Sequence, residues 1–339
     1  MRNLQTIIVC GWAVEKKLMT SKSAKITLLI SILLLLATAV LSACSAGQGA
    51  AEPTPTATTP PLPTDTPQPT PTQGPAEVVR EESVLYVSPI DQLAKQRRLN
   101  VYHIPGANEQ KPLVIWAHGF GGGRFTDETL AERLAEEGFV VLSIDWQVAM
   151  SNPEGDIGVM REATENAECA LRFAAENAEQ YGADPENVIW AGTSAGAWLG
   201  SIISFAEGDL QGEWDAYAAA NGGPAQRVEC STDAEPANIM GYVGNAGPYP
   251  ADFWLGDPST DECCAGFLPM QMFSAIGNNP DLAVRIIHGR DELVFPIETA
   301  ERFAAALQDA GYDVKFLPQD GTHVLFEDQI VTQIQALGE

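Results

Sequence analysis

The chain has 339 residues, of which 45% are apolar and 19% are charged. Its 45 acidic and 19 basic side chains leave a net charge of −26, which excludes the exposed basic face that a nucleic-acid-binding protein needs. The apolar share is large enough for a sizeable core, so a wholly disordered chain is excluded as well.

The N-terminal part has the pattern of an export signal. Four lysines between positions 16 and 25 precede an apolar run over 26–41, which is short for a bilayer core of about 30 Å and favours a cleaved signal over a permanent span. The next residues, Leu-Ser-Ala-Cys, end at Cys44 and resemble the lipobox of bacterial lipoproteins. We therefore predict a lipoprotein signal peptide over 1–43 and lipidation of Cys44. An ordinary secretory signal and an uncleaved anchor helix are the alternatives.

A linker is predicted next. Residues 52–75 contain nine prolines and eight threonines, and proline has a fixed φ and no amide donor for a helix or a sheet. We expect a lipidated N-terminus and spacer over 44–77, with the spacer reaching about 75 Å if it is extended. Residues 1–43 hold five bases and one acid, so the cleaved chain would carry a net charge of −30. Acyl chains, and not surface charge, would then anchor the protein to a bacterial membrane, on its extracytoplasmic side in the cell envelope.

Residues 78–339 alternate between strand-like and helical patterns. The strand-like runs are Arg98–His103, Leu113–Trp116, Phe139–Ile144, Val188–Ala191, Ile239–Val243, Val284–Ile287 and Val314–Leu317. The helical patterns are Thr126–Glu137, Gly158–Tyr181, Ala195–Ala206, Ile297–Ala310 and Phe326–Leu337. Several strands lack polar alternation, as strands covered on both faces do. The expected fold class is therefore α/β, with a mostly parallel central sheet and helices on both faces.

A candidate nucleophile follows one of these strands. The sequence Gly-Thr-Ser-Ala-Gly over 192–196 lies between a strand-like run and a helical pattern, which is the context of a nucleophile elbow. In such a turn Ser194 would be strained, and the flanking glycines would avoid clashes with neighbouring backbone. The amide of Ala195 would lie at a helix N-terminus, where it could stabilise negative charge.

A glycine-rich loop follows an earlier strand and reads His-Gly-Phe-Gly-Gly-Gly over 118–123. An oxyanion hole needs backbone amides that point at developing negative charge, and a loop of this kind supplies them in esterases. We predict the amide of Phe120 as the leading donor and that of Gly121 as the second. A phosphate-binding loop is the alternative, but the Lys-Ser/Thr ending of such a loop is missing.

A serine nucleophile needs a base. His323 follows the last strand and precedes the last helix, so its side chain could reach Ser194 across the carboxyl edge of the sheet. We predict His323 as the base, with a solvent-exposed loop histidine as the alternative. The three other histidines are His103, expected to be structural, His118, expected to brace the oxyanion loop, and His288, at the end of a strand.

The acid is predicted in the loop after the strand that ends near His288. Asp291 lies just past that strand, where a carboxylate could accept the imidazole Nδ1–H. Glu292 and Asp320 compete for this role. The chain order Ser194, Asp291, His323 is the order of α/β-hydrolases and differs from those of chymotrypsin and subtilisin.

These motifs make residues 80–339 resemble the α/β-hydrolase superfamily. Residues 112–145 look like the dienelactone-hydrolase and platelet-activating-factor-acetylhydrolase branch, whereas 181–196 are similar to carboxylesterases and hormone-sensitive lipase. The chain departs from those esterases at Thr193, where they carry an acid, and at Phe120, which interrupts the triple glycine. The resemblance implies an acyl-enzyme mechanism on carboxylic esters without cofactor or metal.

The substrate pocket is expected to come from two irregular stretches, 207–237 and 247–282. The second contains many aromatic and apolar residues and suggests an inserted lid or pocket wall. Trp146, Phe253 and Trp254 are the candidate pocket residues, although ordinary packing is as good an explanation for any one of them.

The cysteine content is consistent with an exported protein, in which disulfides can form. After Cys44, four remain, namely Cys169, Cys230, Cys263 and Cys264. Adjacent cysteines rarely pair together, so Cys263 and Cys264 are expected to pair with Cys169 and Cys230, and at least one disulfide is predicted near Cys230. Their spacing does not favour a metal site.

The leading interpretation is a membrane-anchored, monomeric serine hydrolase that acts on a small-molecule or lipid-like ester and binds no nucleic acid. A peptidase or polyester depolymerase on the same fold is one alternative. A non-catalytic hydrolase-fold lipoprotein that binds a ligand or a protein partner is the other.

Overall fold

A computed structural model describes residues 77–90, 92, 94–106, 109–148, 157–205, 210–221, 225–249 and 279–338. The strands are β1 (Val79–Pro89), β2 (Arg97–His103), β3 (Lys111–Ala117), β4 (Val140–Ile144), β5 (Ala183–Thr193), β6 (Val228–Cys230), β7 (Ile239–Asn245), β8 (Ala283–Gly289) and β9 (Asp313–Gln319). The helices are α1 (Glu128–Glu136), α2 (Ile157–Asn177), α3 (Ala195–Ile203), α4 (Leu210–Asn221), α5 (Ile297–Asp309) and α6 (Glu327–Gly338), and a 3-10 turn spans Ala178–Tyr181. The stretch Ala76–Glu339 groups as one compact unit.

The strands form a single sheet in the order β6-β1-β2-β4-β3-β5-β7-β8-β9. The pairs from β4 to β9 are parallel, whereas β1 pairs antiparallel with both β2 and β6, and β2 pairs antiparallel with β4. This architecture confirms the predicted α/β class. The short β6 and the exposed start of β1 lie at the antiparallel edge.

Alternate residues of the central strands face two different cores. Leu113 and Ile115 of β3 belong to the larger core, which also contains buried residues of α2, α3 and α5. Val114 and Trp116 of the same strand face the smaller core, which α1 and α6 cover. Since side chains alternate along a strand, an unbroken apolar run covers both faces, as predicted.

Two strands and one helix were not predicted. The stretch 207–237, interpreted as irregular, contains α4 and β6. β1 escaped recognition because its first half is polar and exposed, and because Ser83, with a φ of 62°, interrupts its pairing with β2. A polar segment with an irregular register lacks the alternation that marks a half-buried strand.

The predicted disulfide pairing was wrong. Cys169 of α2 bonds to Cys230 of β6, with their Cα atoms 4.9 Å apart. α2 packs beside the edge where β6 joins β1, so these two cysteines are neighbours although 61 residues separate them in sequence. Closing a loop of this length typically stabilises a fold by about 2–4 kcal/mol. Cys263 and Cys264 lie outside the described residues, as do the predicted signal peptide and residues 44–76 of the predicted lipidated N-terminus and linker.

None of the helices in the described ranges is long and apolar enough to cross a membrane. The parallel strands matter for function because their carboxyl ends meet at one edge of the sheet. The loops after β3, β5, β7, β8 and β9 all begin at that edge, where parallel α/β sheets usually bind their ligands.

Candidate active site

Ser194 lies between β5 and α3 in a strained turn. Its φ is 52° and its ψ is −116°, a region that L-residues other than glycine rarely occupy. The backbone holds it there, because its amide donates to the Asn245 carbonyl at 2.8 Å and its carbonyl accepts from the Trp198 amide at 3.1 Å. This geometry is that of the predicted nucleophile elbow.

The glycines on either side of Ser194 are required by close backbone packing. A Cβ at Gly196 would lie 2.0 Å from the Ala117 carbonyl oxygen at the end of β3. A Cβ at Gly192 would lie 2.6 Å from the carbonyl carbon of Gly196. Since these neighbours are backbone atoms, they cannot turn away as a side chain could.

His323 lies in the loop between β9 and α6. Its Nε2 is 3.0 Å from the Ser194 hydroxyl oxygen, so the structure brings together the predicted nucleophile and base. The Phe295 ring packs edge-on against the imidazole, with the ring centroids 5.6 Å apart. The His323 side chain is 29% exposed, which leaves room for a substrate.

Glu292 is the partner of His323, and the prediction of Asp291 was wrong. His323 Nδ1 donates to Glu292 Oε2 at 2.9 Å, and the Glu292 side chain is fully buried. Its second oxygen, Oε1, accepts from the Val294 amide at 2.7 Å. The Asp291 amide bonds to the Gly321 carbonyl at 3.0 Å, while its side chain is exposed. Asp320, the other competitor, has an exposed side chain paired with Arg290.

The loop after β3 passes directly beside Ser194. A Cβ at Gly119 would lie 3.3 Å from the Ser194 Cβ, so only glycine allows this approach without displacement. The Gly122 amide bonds back to the Gly119 carbonyl at 3.1 Å, and Gly121 has a φ of 76°, as at the third position of a type II turn. Phe120 occupies the turn with its ring 62% exposed. The predicted donor Phe120 lines the same cleft as Ser194, and Gly121 follows it in the turn.

His118 and Trp146 support this loop from beneath. His118 Nδ1 donates to the Gly119 carbonyl at 2.8 Å, and Trp146 Nε1 donates to the His118 carbonyl at 3.3 Å. Burial lowers the pKa of His118, which favours the neutral ring, and the bond to the Gly119 carbonyl places its proton on Nδ1. Trp146 is only 2% exposed. It therefore braces the loop, and the prediction that it lines the pocket does not hold for the cleft described below.

Arg124 anchors the far end of the loop. This role of Arg124 was not predicted from the sequence. Its amide donates to Asp145 Oδ1 at 2.8 Å and its guanidinium forms an ion pair with the same carboxylate. The guanidinium also donates to Ser83 Oγ at 2.9 Å and to Asn100 Oδ1 at 3.1 Å. These partners come from β1, β2 and the end of β4, so no local sequence pattern predicts their contacts with Arg124.

A cleft of about 430 Å³ opens in front of Ser194 and His323. Its described walls are mainly apolar and include Phe120, Ala246, Val294, Phe295, Val324 and Leu325. Asp127 also lines it and accepts a hydrogen bond from Trp116 Nε1 at 2.9 Å, and burial raises the pKa of its carboxyl. Phe253 and Trp254, predicted as pocket residues, lie outside the described residues.

His288 supports the loop that carries Glu292. It is fully buried, and its Nε2 donates to the Phe295 carbonyl at 2.9 Å. Burial lowers the pKa of His288, so it is the neutral ring that makes this bond. Within the described parts of the chain, no group of three or more His, Cys, Asp or Glu side chains could hold a metal ion.

Several known proteins are similar in sequence. A probable isoprenylcysteine alpha-carbonyl methylesterase, ICMEL1 of Oryza sativa subsp. japonica, is 28% identical over 239 residues, covering 67% of this chain and 54% of the relative. The carboxylesterase NlhH of Mycobacterium tuberculosis is 29% identical over 118 residues, covering 34% of this chain and 35% of its own. The chain thus spans about half the length of the curated methylesterases that it matches.

Solved structures share the fold. Esterase B of Lactobacillus rhamnosis superposes with a TM-score of 0.54 at 18% identity, covering 79% of this chain and 89% of its own. A bacterial heroin esterase gives 0.53 at 13% identity, with 79% and 87% covered. These matches confirm the α/β-hydrolase fold expected from the sequence.

The family model BD-FAE matches residues 99–307, a range that contains Ser194 and Glu292 and ends before His323. Because that range is well over half of the sequence, the chain belongs to the BD-FAE family.

Proposed function

We propose that the protein is a serine hydrolase of carboxylic esters, with Ser194 as nucleophile, His323 as base and Glu292 as acid. The observation that carries this proposal is an unbroken hydrogen-bond chain. It runs from Glu292 to His323 over 2.9 Å and from His323 to Ser194 over 3.0 Å. Because the buried carboxylate accepts the Nδ1 proton, Nε2 is free to take the proton of the serine hydroxyl.

The reaction follows from this geometry. The Ser194 oxygen attacks the ester carbonyl carbon while its proton passes to His323 Nε2. The tetrahedral oxyanion accepts hydrogen bonds from the amides of Phe120 and Ala195, each contributing about 3 kcal/mol. The intermediate collapses, His323 protonates the departing alcohol, and an acyl group remains on Ser194. Water then attacks the acyl-enzyme by the same route and releases the acid.

The cleft favours an uncharged group next to the scissile bond. Val294, Phe295, Val324 and Leu325 line it, and so does the exposed Phe120. Such walls bind acyl or alcohol groups by burying apolar surface. The similarity to a probable methylesterase and to a carboxylesterase supports a carboxylic ester as the substrate.

A series of p-nitrophenyl esters from acetate to decanoate tests the proposal. We expect hydrolysis with a maximum at short acyl chains, because the cleft volume is modest, and a loss of hydrolysis in Ser194→Ala. Ser231→Ala, which changes an exposed serine after β6, is the matched control and should retain full activity. Failure to hydrolyse any ester, or hydrolysis that survives Ser194→Ala, would contradict the proposal.

The proposal includes a lipid tether on Cys44, which holds the enzyme on the outer side of a bacterial membrane. It rests on the order of lysines, apolar run and Leu-Ser-Ala-Cys in the sequence. Cys44→Ala should move the protein from the membrane to the soluble fraction, whereas Cys10→Ala should leave it on the membrane. If the Cys44→Ala protein stays with the membrane, the tether is not a lipid on this residue.

A further inference from the structure

Asn245 is a fully buried polar residue at the carboxyl end of β7, directly beside the proposed site. β7 lies between β5, which leads to Ser194, and β8. In the sheet register, Asn245 is opposite Thr193 on one side and Ile287 on the other. Its backbone carbonyl accepts the Ser194 amide at 2.8 Å. The main chain of Asn245 therefore already supports the strained turn.

The side chain of Asn245 uses all of its hydrogen-bonding groups. Nδ2 donates to Thr193 Oγ1 and to the Val324 carbonyl, both at 3.0 Å, and Oδ1 accepts from the Phe326 amide at 3.4 Å. A carbonyl only accepts and an amide N–H only donates, so these two backbone partners fix which way the amide group points.

The hydrogen-bond partners of the Asn245 side chain adjoin the proposed nucleophile and the proposed base. Thr193 is the residue before the nucleophile, and Val324 is the residue after the base. Ser194 and His323 are 129 residues apart in the chain, so only contacts across the fold can set the distance between them. Resting on the proposed function, we infer that Asn245 is a positioning residue that holds the Ser194 turn and the His323 loop at the separation needed for proton transfer.

The other supports of His323 act from a different side. Glu292 and Phe295 belong to the loop between β8 and α5, and they orient the imidazole ring by a hydrogen bond and an edge-on ring contact. In the described parts of the chain, the triad itself apart, Asn245 is the side chain that bonds to both the turn and the His323 loop. A loss of this bridge should alter the distance between Ser194 and His323, because it releases the Val324 carbonyl next to the base.

Asn245→Asp in the full chain tests the inference, because the two side chains have nearly the same shape. A carboxylate has no donors, so the bond to the Val324 carbonyl is lost and an oxygen faces that carbonyl, whereas the Thr193 hydroxyl can turn to donate. The bridge is therefore broken at its Val324 end. We expect kcat to fall about 10–100-fold with KM changed less than about 3-fold, since small misplacements of reacting groups have effects of this size. Titration of active sites with a fluorophosphonate normalises kcat to the folded, reactive enzyme.

The pH profile separates positioning from simple loss of structure. At lower pH the introduced carboxyl takes up a proton and regains one donor towards the Val324 carbonyl. The ratio of variant to parent kcat, per titrated site, should therefore rise as the pH falls. Asn279→Asp is the matched control, because Asn279 Nδ2 contacts the Ser204 and Ile239 carbonyls at the opposite end of β7. Its kcat should stay within about 3-fold of the parent value, with no such pH trend.

Thr193→Val provides a second, milder test that holds even if Asn245→Asp folds poorly. It removes one of the two bridge contacts, so we expect a fall in kcat of about 3–10-fold at constant KM, and little further loss when it is added to Asn245→Asp. Parental kcat and pH profile in both variants would overturn the inference. An inactive parent would instead contradict the proposed function, and the inference would fall with it.

Discussion

Glu292→Gln should lower kcat by a factor of about 10³–10⁴, which is the usual effect of removing the charge from the acid of a serine hydrolase triad. Glutamine keeps the shape of the side chain but cannot balance the positive charge that His323 acquires in the transition state. Its amide can also donate to Nδ1 and so favour the wrong tautomer. Measurement of kcat and KM on a short p-nitrophenyl ester, together with circular dichroism to verify folding, gives the answer.

Asp291→Asn is the matched control for this experiment. Asp291 adjoins Glu292, and its change removes the same charge, but its side chain is exposed and its contact to the His323 loop is made by the backbone amide. We expect kcat within about twofold of the parent value, as for most surface substitutions. A larger loss in Asp291→Asn than in Glu292→Gln would reverse the assignment of the acid.

Gly196→Ala should damage both stability and activity. The added Cβ would lie 2.0 Å from the Ala117 carbonyl oxygen and 2.7 Å from that of His118. Relief of this overlap requires α3 to move away from the end of β3, and that movement displaces Ser194 from the oxyanion loop. We expect a loss of at least about 100-fold in kcat/KM and a destabilisation of about 3 kcal/mol or more, at the upper end for overpacked sites.

Gly311→Ala is the control that separates the effect of steric overlap at Gly196 from the effect of backbone strain. Gly311 follows α5 with a φ of 94°, and nothing lies within 4 Å of an added Cβ. Its replacement should cost only the positive-φ strain, about 1 kcal/mol, and leave kcat/KM unchanged. Thermal unfolding and ester hydrolysis of the two variants make the comparison. Equal behaviour of the two would show that the packing around Gly196 is looser than described.

The sheet and most helices were predictable because their cause is local. The central strands are apolar runs that cover two cores, and helices such as α1 and α5 bury one face. The Ser194 turn was predictable for a related reason, since a strained turn pressed against the end of β3 needs glycines at 192 and 196. His323 was found from its place in the chain order, between the last strand and the last helix.

The choice between Asp291 and Glu292 could not be made from the sequence. Both acids follow β8, and either can reach a neighbouring loop. In the folded chain the Asp291 amide donates to the Gly321 carbonyl, and it is the Glu292 side chain that points inward to His323. That bond joins loops thirty residues apart in the chain (Asp291 to Gly321), and no pattern around Asp291 reveals it.

The pairing of Cys169 with Cys230 and the bridge made by Asn245 were missed for the same physical reason. Each depends on which strands become neighbours in the sheet, and the strand order is a property of the whole fold. β6 was not recognised, so the position of Cys230 beside α2 had no basis in the sequence. Asn245 ends an apolar strand in which nothing marks it as a partner of Thr193 and Val324.

The central claim is that Ser194, activated by His323, is the nucleophile. Incubation of the full chain with a fluorophosphonate and localisation of the adduct by peptide mass spectrometry test it directly. We predict one adduct per chain, on Ser194, with no labelling of Ser194→Ala and greatly slowed labelling of His323→Ala. Absence of an adduct on the folded parent protein, or an adduct on a different serine, would contradict the account.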